Sequence, residues 1–212
     1  MLTTPRLIAI ALCAALNFSI GSIVYLIKLP VYLDSIGTIL CALLLAGDRK
    51  AAFVCSFLSA FLSLIVSALL INPFIPWFVG TDIALALVSA FVTTHGAAIF
   101  RARPLQPGSF IVRVLLYGVV TGVTAAVVSA PVVAYLFGGV TGSGSALVVA
   151  VFLHAGQQLL SASLSSGLAI EPIDKSLQVL LAALLYRATP GEFLAMLAPG
   201  ADQAKRNPSY GG

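Results

Sequence analysis

The stretch SALVVAVFLHAGQQLLSASLSSGLAI, residues 145–170, decides how many times this chain crosses a bilayer. It is apolar overall but interrupted by His154, Gln157, Gln158 and a serine cluster running from Ser161 to Ser166. A crossing helix needs roughly 20 predominantly apolar residues, at 1.5 Å of rise each, to span a hydrocarbon core about 30 Å thick. Read as a span, 145–170 makes seven crossings and puts the termini on opposite sides. Read as a segment that enters and returns, or lies across the outer face, it leaves six crossings and both termini in the cytoplasm.

Basic residues arbitrate, because cytoplasmic loops carry the excess of Lys and Arg. Six crossings place Arg6, Arg49, Lys50, Arg101, Arg103, Arg113, Arg187, Lys205 and Arg206 inside, leaving Lys28 and Lys175 outside. Seven would bring Lys175 in and export Arg187, Lys205 and Arg206. The charge bias therefore favours an all-α integral membrane protein of six transmembrane helices with both termini cytoplasmic. An embedded or outer-face segment then separates helices five and six. Non-helical backbone at membrane depth is tolerated only where protein or a water-filled cavity receives it, so such a segment implies a cavity on the outer side.

Working outward, apolar runs and their breakers predict helix one at about 7–27, helix two at 35–47 and helix three at 51–71. Helix four follows at about 82–100, helix five at 110–136 and the last at 174–188, reaching 197 if Pro190 is only a kink. The 212 residues are 60% hydrophobic and 8% charged, against about 45–50% and 25% in soluble globular proteins. One membrane-embedded domain, residues 1–198, is expected, with a Gly-, Pro- and polar-rich cytoplasmic tail, 199–212, disordered. The start resembles a signal peptide, but its apolar run continues to Ile27, so a retained first helix is expected. The net charge of +4 lies almost wholly in loops and lacks the basic face with aromatics that would read nucleic acid. Cys13, Cys41 and Cys55 lie in apolar runs without metal-ligand spacing and read as small buried hydrophobes.

On the six-helix topology the outer ends collect Lys28, Tyr32, Asp34, Asn72, Trp77, Asp82, His154, Gln157, Gln158, Glu171, Asp174 and Lys175. Ionisable groups at membrane depth cost about 2.5–3.5 kcal/mol each on insertion scales and often mark ligand pathways, so these twelve are the candidate substrate-binding residues. Structural readings stand beside that one. Asp34, Asp82 and Asp174 sit where they could cap the starts of helices two, four and six. Lys28 could snorkel, Trp77 and Tyr32 could be interfacial belt residues, and His154 could be hydrogen-bonded core. His95 reads as structural. FGGVTGSGS, residues 137–145, lacks the Lys-Ser/Thr ending of a phosphate-binding loop and reads as a tight turn able to cover a ligand. On helix one, Ala11 and Ala15 put small residues on one face, which lets another helix approach closely, within this chain or from a partner.

Four pieces together resemble the integral-membrane S components of energy-coupling-factor (ECF) vitamin transporters. They are the AxxxA of Ala11 and Ala15, LPVYLDSIGT at 29–38, FGGVTGSGS at 137–145 and EPIDKSLQ at 171–178. The resemblance implies a multi-pass subunit of the bacterial cytoplasmic membrane that captures a vitamin-type micronutrient at its outer face. It implies a site built by helices four to six and their loops, and an Ala11/Ala15 face docked on a transmembrane coupling subunit. Two cytoplasmic ATPases would drive the cycle, so ATP is used by partners and no cofactor or metal is expected in this chain.

The acid- and amide-rich rim with Trp77 and Tyr32 favours a cationic or amino-bearing ring compound. A queuosine-type precursor, a pyrimidine vitamin and cobalamin all remain open. Rival readings are a stand-alone carrier or solitary S component, and an intramembrane hydrolase using Ser143 or Ser145 with His154. The hydrolase lacks a GxSG around those serines and an Asp beside His154, so no catalytic residue is nominated.

Overall fold

Apolar side chains point outward along most of this bundle: Leu69, Leu147, Phe91 and Leu12 are each more than 60% exposed. A soluble protein seldom leaves so much large apolar surface open, whereas lipid solvates it. The computed structural model of the chain describes residues 2–101 and 107–197, apart from the side chains of 96–99 and 101. Within those bounds all regular secondary structure is helical, with no strand. Four helices, Thr4–Leu26, Arg49–Leu70, Ile75–His95 and Pro107–Leu136, are long and apolar enough to cross a membrane, as in a multi-pass membrane protein.

The elements in order are α1 (Thr4–Leu26), α2 (Ile36–Leu44), α3 (Arg49–Leu70), α4 (Val79–Arg101), α5 (Pro107–Pro131), α6 (Ser145–His154), α7 (Leu159–Ala188) and α8 (Gly191–Leu197). A 3-10 turn, Ile75–Phe78, leads into α4, and a π-helical turn, Val132–Leu136, follows Pro131 at the end of α5. Helices one, three, four and five thus start within three residues of where the apolar runs place them. The expected tail, 199–212, and Arg103, Lys205 and Arg206 lie outside the described residues.

Two expectations change. The second crossing is not a continuous helix: α2 has only 9 residues, roughly 14 Å, less than half the hydrocarbon core. It is preceded by a non-helical segment, 27–35, in which Lys28 and Leu33 take left-handed φ values of 57° and 50°. The last helix does not begin at Asp174. It begins at Leu159 and runs 30 residues straight through Pro172. The stretch 145–170 is therefore two helical pieces rather than one continuous helix. It divides at Gly156 (φ 87°) into α6 and the first third of α7. The serines that looked like an interruption are helix residues, with Ser163 and Ser166 buried and the Ser165 hydroxyl donating to Gln157 Oε1 at 3.0 Å.

The α5–α7 pairing is the most extensive in the bundle, and small residues permit it. A Cβ on Gly118 would overlap Ser176, and one on Gly122 would stand 2.6 Å from the backbone of Glu171 and Pro172. This GVVTG at 118–122 is a GxxxG pair, which lets two lipid-embedded helices pack backbone to backbone. Gly37 of α2 meets the Cys13 carbonyl of α1 in the same way.

Contacts at the helix ends define two faces. At one, Arg6 pairs with Asp48 at 3.3 Å and donates to the Leu197 carbonyl beneath α8, Arg49 meets His95 at 3.3 Å, and Arg187 donates to the Phe100 carbonyl at 2.9 Å. Asp48 caps α3, and the Ala51 N–H it accepts, helped by Arg6, holds its carboxyl below the usual carboxylate range. At the other end Asn72 bonds to the Tyr25 hydroxyl and Phe137 packs on Phe78 with centroids 5.4 Å apart. Each of Cys13, Cys41 and Cys55 is a buried free thiol.

Gly122→Val should force α5 and α7 apart, since overpacking against rigid backbone costs about 1–3 kcal/mol or more. A lower melting temperature in detergent and a broadened elution profile would register it. Gly47→Ala, where an added Cβ meets nothing within 4 Å, should change neither.

Candidate ligand-binding cavity

Beyond Leu29, whose N–H still bonds to α1, the non-helical segment 27–35 carries N–H groups outside any helical ladder, and side chains of α7 and α1 supply acceptors there and at the start of α2. Asp174 Oδ1 accepts from both the Tyr32 and Leu33 N–H groups at 3.1 Å. Gln178 Oε1 accepts from the Ser35 N–H at 2.9 Å, and Asn17 Oδ1 from the Gly37 N–H at 2.6 Å. The start of α2 is thus capped from across the bundle, while Ser35, its own N-cap residue, makes no side-chain cap. An unsatisfied backbone group in an apolar medium costs several kcal/mol, so these bonds hold the segment in place.

Asp174 and Gln178 are locked in turn. Gln178 Nε2 donates to Asp174 Oδ2 at 2.7 Å, and Lys175 Nζ reaches the same oxygen at 3.0 Å. Lys175 also pairs with Asp34 at 3.2 Å and Glu171 at 3.5 Å, so one buried ammonium serves three carboxylates. These residues were expected at the outer end of the last helix; they lie in its middle. Glu171 comes roughly 18 Å along α7 from Leu159. Asp174 accordingly caps no helix of its own, and Asp34 accepts from Ser35 Oγ and Lys175 rather than capping α2.

Above this floor a cavity of about 180 Å³ runs from the connecting segments at the non-basic end down to Glu171 and Lys175. Of the twelve candidates it brings together Tyr32, Asp34, Asn72, Asp82, Glu171 and Lys175. Asp174 lies behind Lys175 rather than on the wall. Asp82, in the first turn of α4, makes no hydrogen bond or salt bridge among the described residues. The walls are broader than the helices four to six that the resemblance implies, since α1 and α3 contribute through Asn17, Ser22, Ser63 and Ser67. Leu64, Ile71, Phe78 and Leu85 supply apolar surface.

The remaining candidates stand elsewhere. Lys28 is exposed, 4.2 Å above the Tyr25 ring, and donates to the Gly142 carbonyl. It tethers the glycine turn, where Gly138, Gly139 and Gly142 hold positive φ and Thr141 and Ser143 face the cavity. Trp77 is 57% exposed, His154 ends α6 in the open, Gln157 accepts from Ser165, and Gln158 is exposed at the start of α7. Ser143 bonds to Thr141 and Ser145, both at 2.8 Å, and neither Ser143 nor Ser145 bonds to His154. Among the described residues no group of His, Cys, Asp and Glu is placed to hold a metal ion.

Three wall elements were missed from the sequence. Asn17 and Ser22 lie in an apolar helix without any motif. Ser59, Ser63 and Ser67, however, recur every four residues, a polar stripe that marks one helix face. No protein-family model matches this chain, and no characterised protein or solved structure is significantly similar to it.

Asp174→Ala removes the acceptor for two buried N–H groups and a partner of Lys175. Breaking a buried pair from one side costs about 3–5 kcal/mol, so this variant should melt far below the parent protein. Asp48→Ala, which loses a part-exposed cap and one of the partners of Arg6, should lose clearly less, since Arg6 keeps the Leu197 carbonyl. Thermal melting in detergent compares the two.

Proposed function

We propose that this protein captures a small micronutrient-type heterocycle at the extracytoplasmic face and serves as the S component of an ECF-type transporter in a bacterial cytoplasmic membrane. The observation that carries the reading is the polar cavity itself. It descends from the less basic end to a fixed ionic floor at the middle of α7. Six crossings follow if the non-helical segment and α2 together count as the second and α7 as the last. The end that gathers Arg6, Arg49, Arg113 and Arg187 then faces the cytoplasm, along with both termini.

The cavity's size supports a one- or two-ring compound. At about 180 Å³ it falls below the roughly 300–1,000 Å³ of common small-molecule pockets, which favours a compact ligand over a corrin. That scale favours a queuosine-type precursor or a pyrimidine vitamin over cobalamin.

ATP-driven uptake would need partner subunits, since the sequence holds no nucleotide-binding motif. On α1, Ala11 and Ala15 are exposed while Ala14 is buried, leaving a small-residue face free for a coupling subunit bound to an ATPase pair. Ala11→Trp should leave ligand affinity within twofold and abolish partner-driven uptake of the compound identified by mass spectrometry of the purified protein. Undiminished uptake by this variant would remove the docking assignment. A purified protein that neither carries nor binds any small molecule would remove the capture reading.

A further inference from the structure

We infer that the ligand presents a cation, a planar amidinium or a protonated amino-heterocycle, to Asp82 and Glu171. The inference deepens the capture reading and rests on it. Four carboxyls, Asp34, Asp82, Glu171 and Asp174, gather at or just behind the cavity wall, and among the described residues Lys175 is the one base that lines it. That ammonium is already shared among three of them, at 3.0, 3.2 and 3.5 Å. Nothing is left for Asp82, which has no hydrogen-bond or salt-bridge partner among the described residues. An unpaired carboxylate withdrawn from water is costly, and a ligand cation relieves that cost directly.

Independent of the charge count, three residues of the same wall carry buried polar atoms without a hydrogen-bond partner among the described residues. Glu171 is 6% exposed and its Oε2 accepts no hydrogen bond, having only the 3.5 Å ion pair with Lys175. Thr81, one residue before Asp82 and 8% exposed, has an Oγ1 without a partner, and so does Ser22 across the cavity on α1. Buried polar groups in native proteins are almost always bonded, and three of the seven unbonded ones among the described residues, on Ser22, Thr81 and Glu171, belong to this cavity's wall, where a ligand could complete them. Two carboxylates only accept, and hydroxyls can accept as well, so the matching ligand edge is rich in N–H donors. An anion would face four carboxyls. A bare metal ion lacks a ligand set among the described residues, and the apolar walls suit a ring behind the cationic edge.

Benzamidine, benzamide and benzoate share a ring and differ in charge, so they separate the possibilities. Titrated onto the detergent-purified full chain and followed by thermal melting, benzamidine should stabilise saturably. Benzamide should bind at least tenfold more weakly and benzoate not at all. Asp82→Asn and Glu171→Gln should each weaken benzamidine at least tenfold, while Asp48→Asn leaves it unchanged. Thr81→Val, a near-isosteric change, should weaken benzamidine and benzamide alike and so keep their ratio, giving a readout should a carboxyl variant fail to fold. Equal binding of benzamide, any preference for benzoate, or no saturable binding by benzamidine, guanidinium or methylammonium would overturn the inference. Uptake of a neutral or anionic compound by the intact system would also overturn it while leaving the capture reading in place. Cation-selective binding without uptake would support it and count against transport instead.

Discussion

A single carboxylate organises this molecule. Asp174 accepts the N–H groups of Tyr32 and Leu33 with one oxygen and holds Gln178 and Lys175 with the other. Through those bonds the part of the segment beyond the end of α1 is fixed against α7, and α2 can start deep in the bundle. Leu33 keeps a left-handed backbone there, a conformation that costs an ordinary residue roughly 1–2 kcal/mol and persists only where its surroundings over-determine it. The close approach of α5 to α7 through Gly118 and Gly122 brings the polar turn of α7 into the bundle rather than toward lipid.

The same arrangement makes a cavity almost unavoidable. Replacing half a helix by an extended segment removes volume above the floor, and α1, α3, α4 and α5 line what remains. The glycine turn at 137–145, tethered by Lys28, adds Phe137, Thr141 and Ser143 to the wall. Fold and proposed function therefore share one origin. The polar residues that let the chain depart from regular helix also give the cavity its charged base.

Much of this was legible in the sequence, and the limits have a physical cause. Among the described residues, helices α1, α3, α4 and α5 bury small polar side chains but, Arg6 apart, no charged ones, so hydropathy and breakers locate them to within a few residues. EPIDKSLQ contains a proline and three charges, and any window average reads it as an interfacial entry rather than the centre of a 30-residue helix. Its polarity is cancelled by partners from distant sequence, Asp34 lying 141 residues away from Lys175. The twelve candidates were chosen for polarity near expected helix ends. Six of them line the cavity, whereas Trp77, His154 and Gln158 show that polarity near an end does not say which way a side chain turns. The glycine pair at 118–122 and the serines at four-residue spacing in α3 were readable, since close packing and a shared helix face each follow from spacing alone.

The central claim is that segment 27–35 and the polar turn of α7 floor a cavity open to the extracytoplasmic side. Single cysteines at Ser67, on the cavity wall, and at Lys50, at the basic end, test it directly in a background lacking Cys13, Cys41 and Cys55. In intact cells a membrane-impermeant cationic thiol reagent should modify Ser67→Cys and spare Lys50→Cys until the membrane is permeabilised. Modification of Lys50→Cys from outside, with Ser67→Cys protected, would contradict the account.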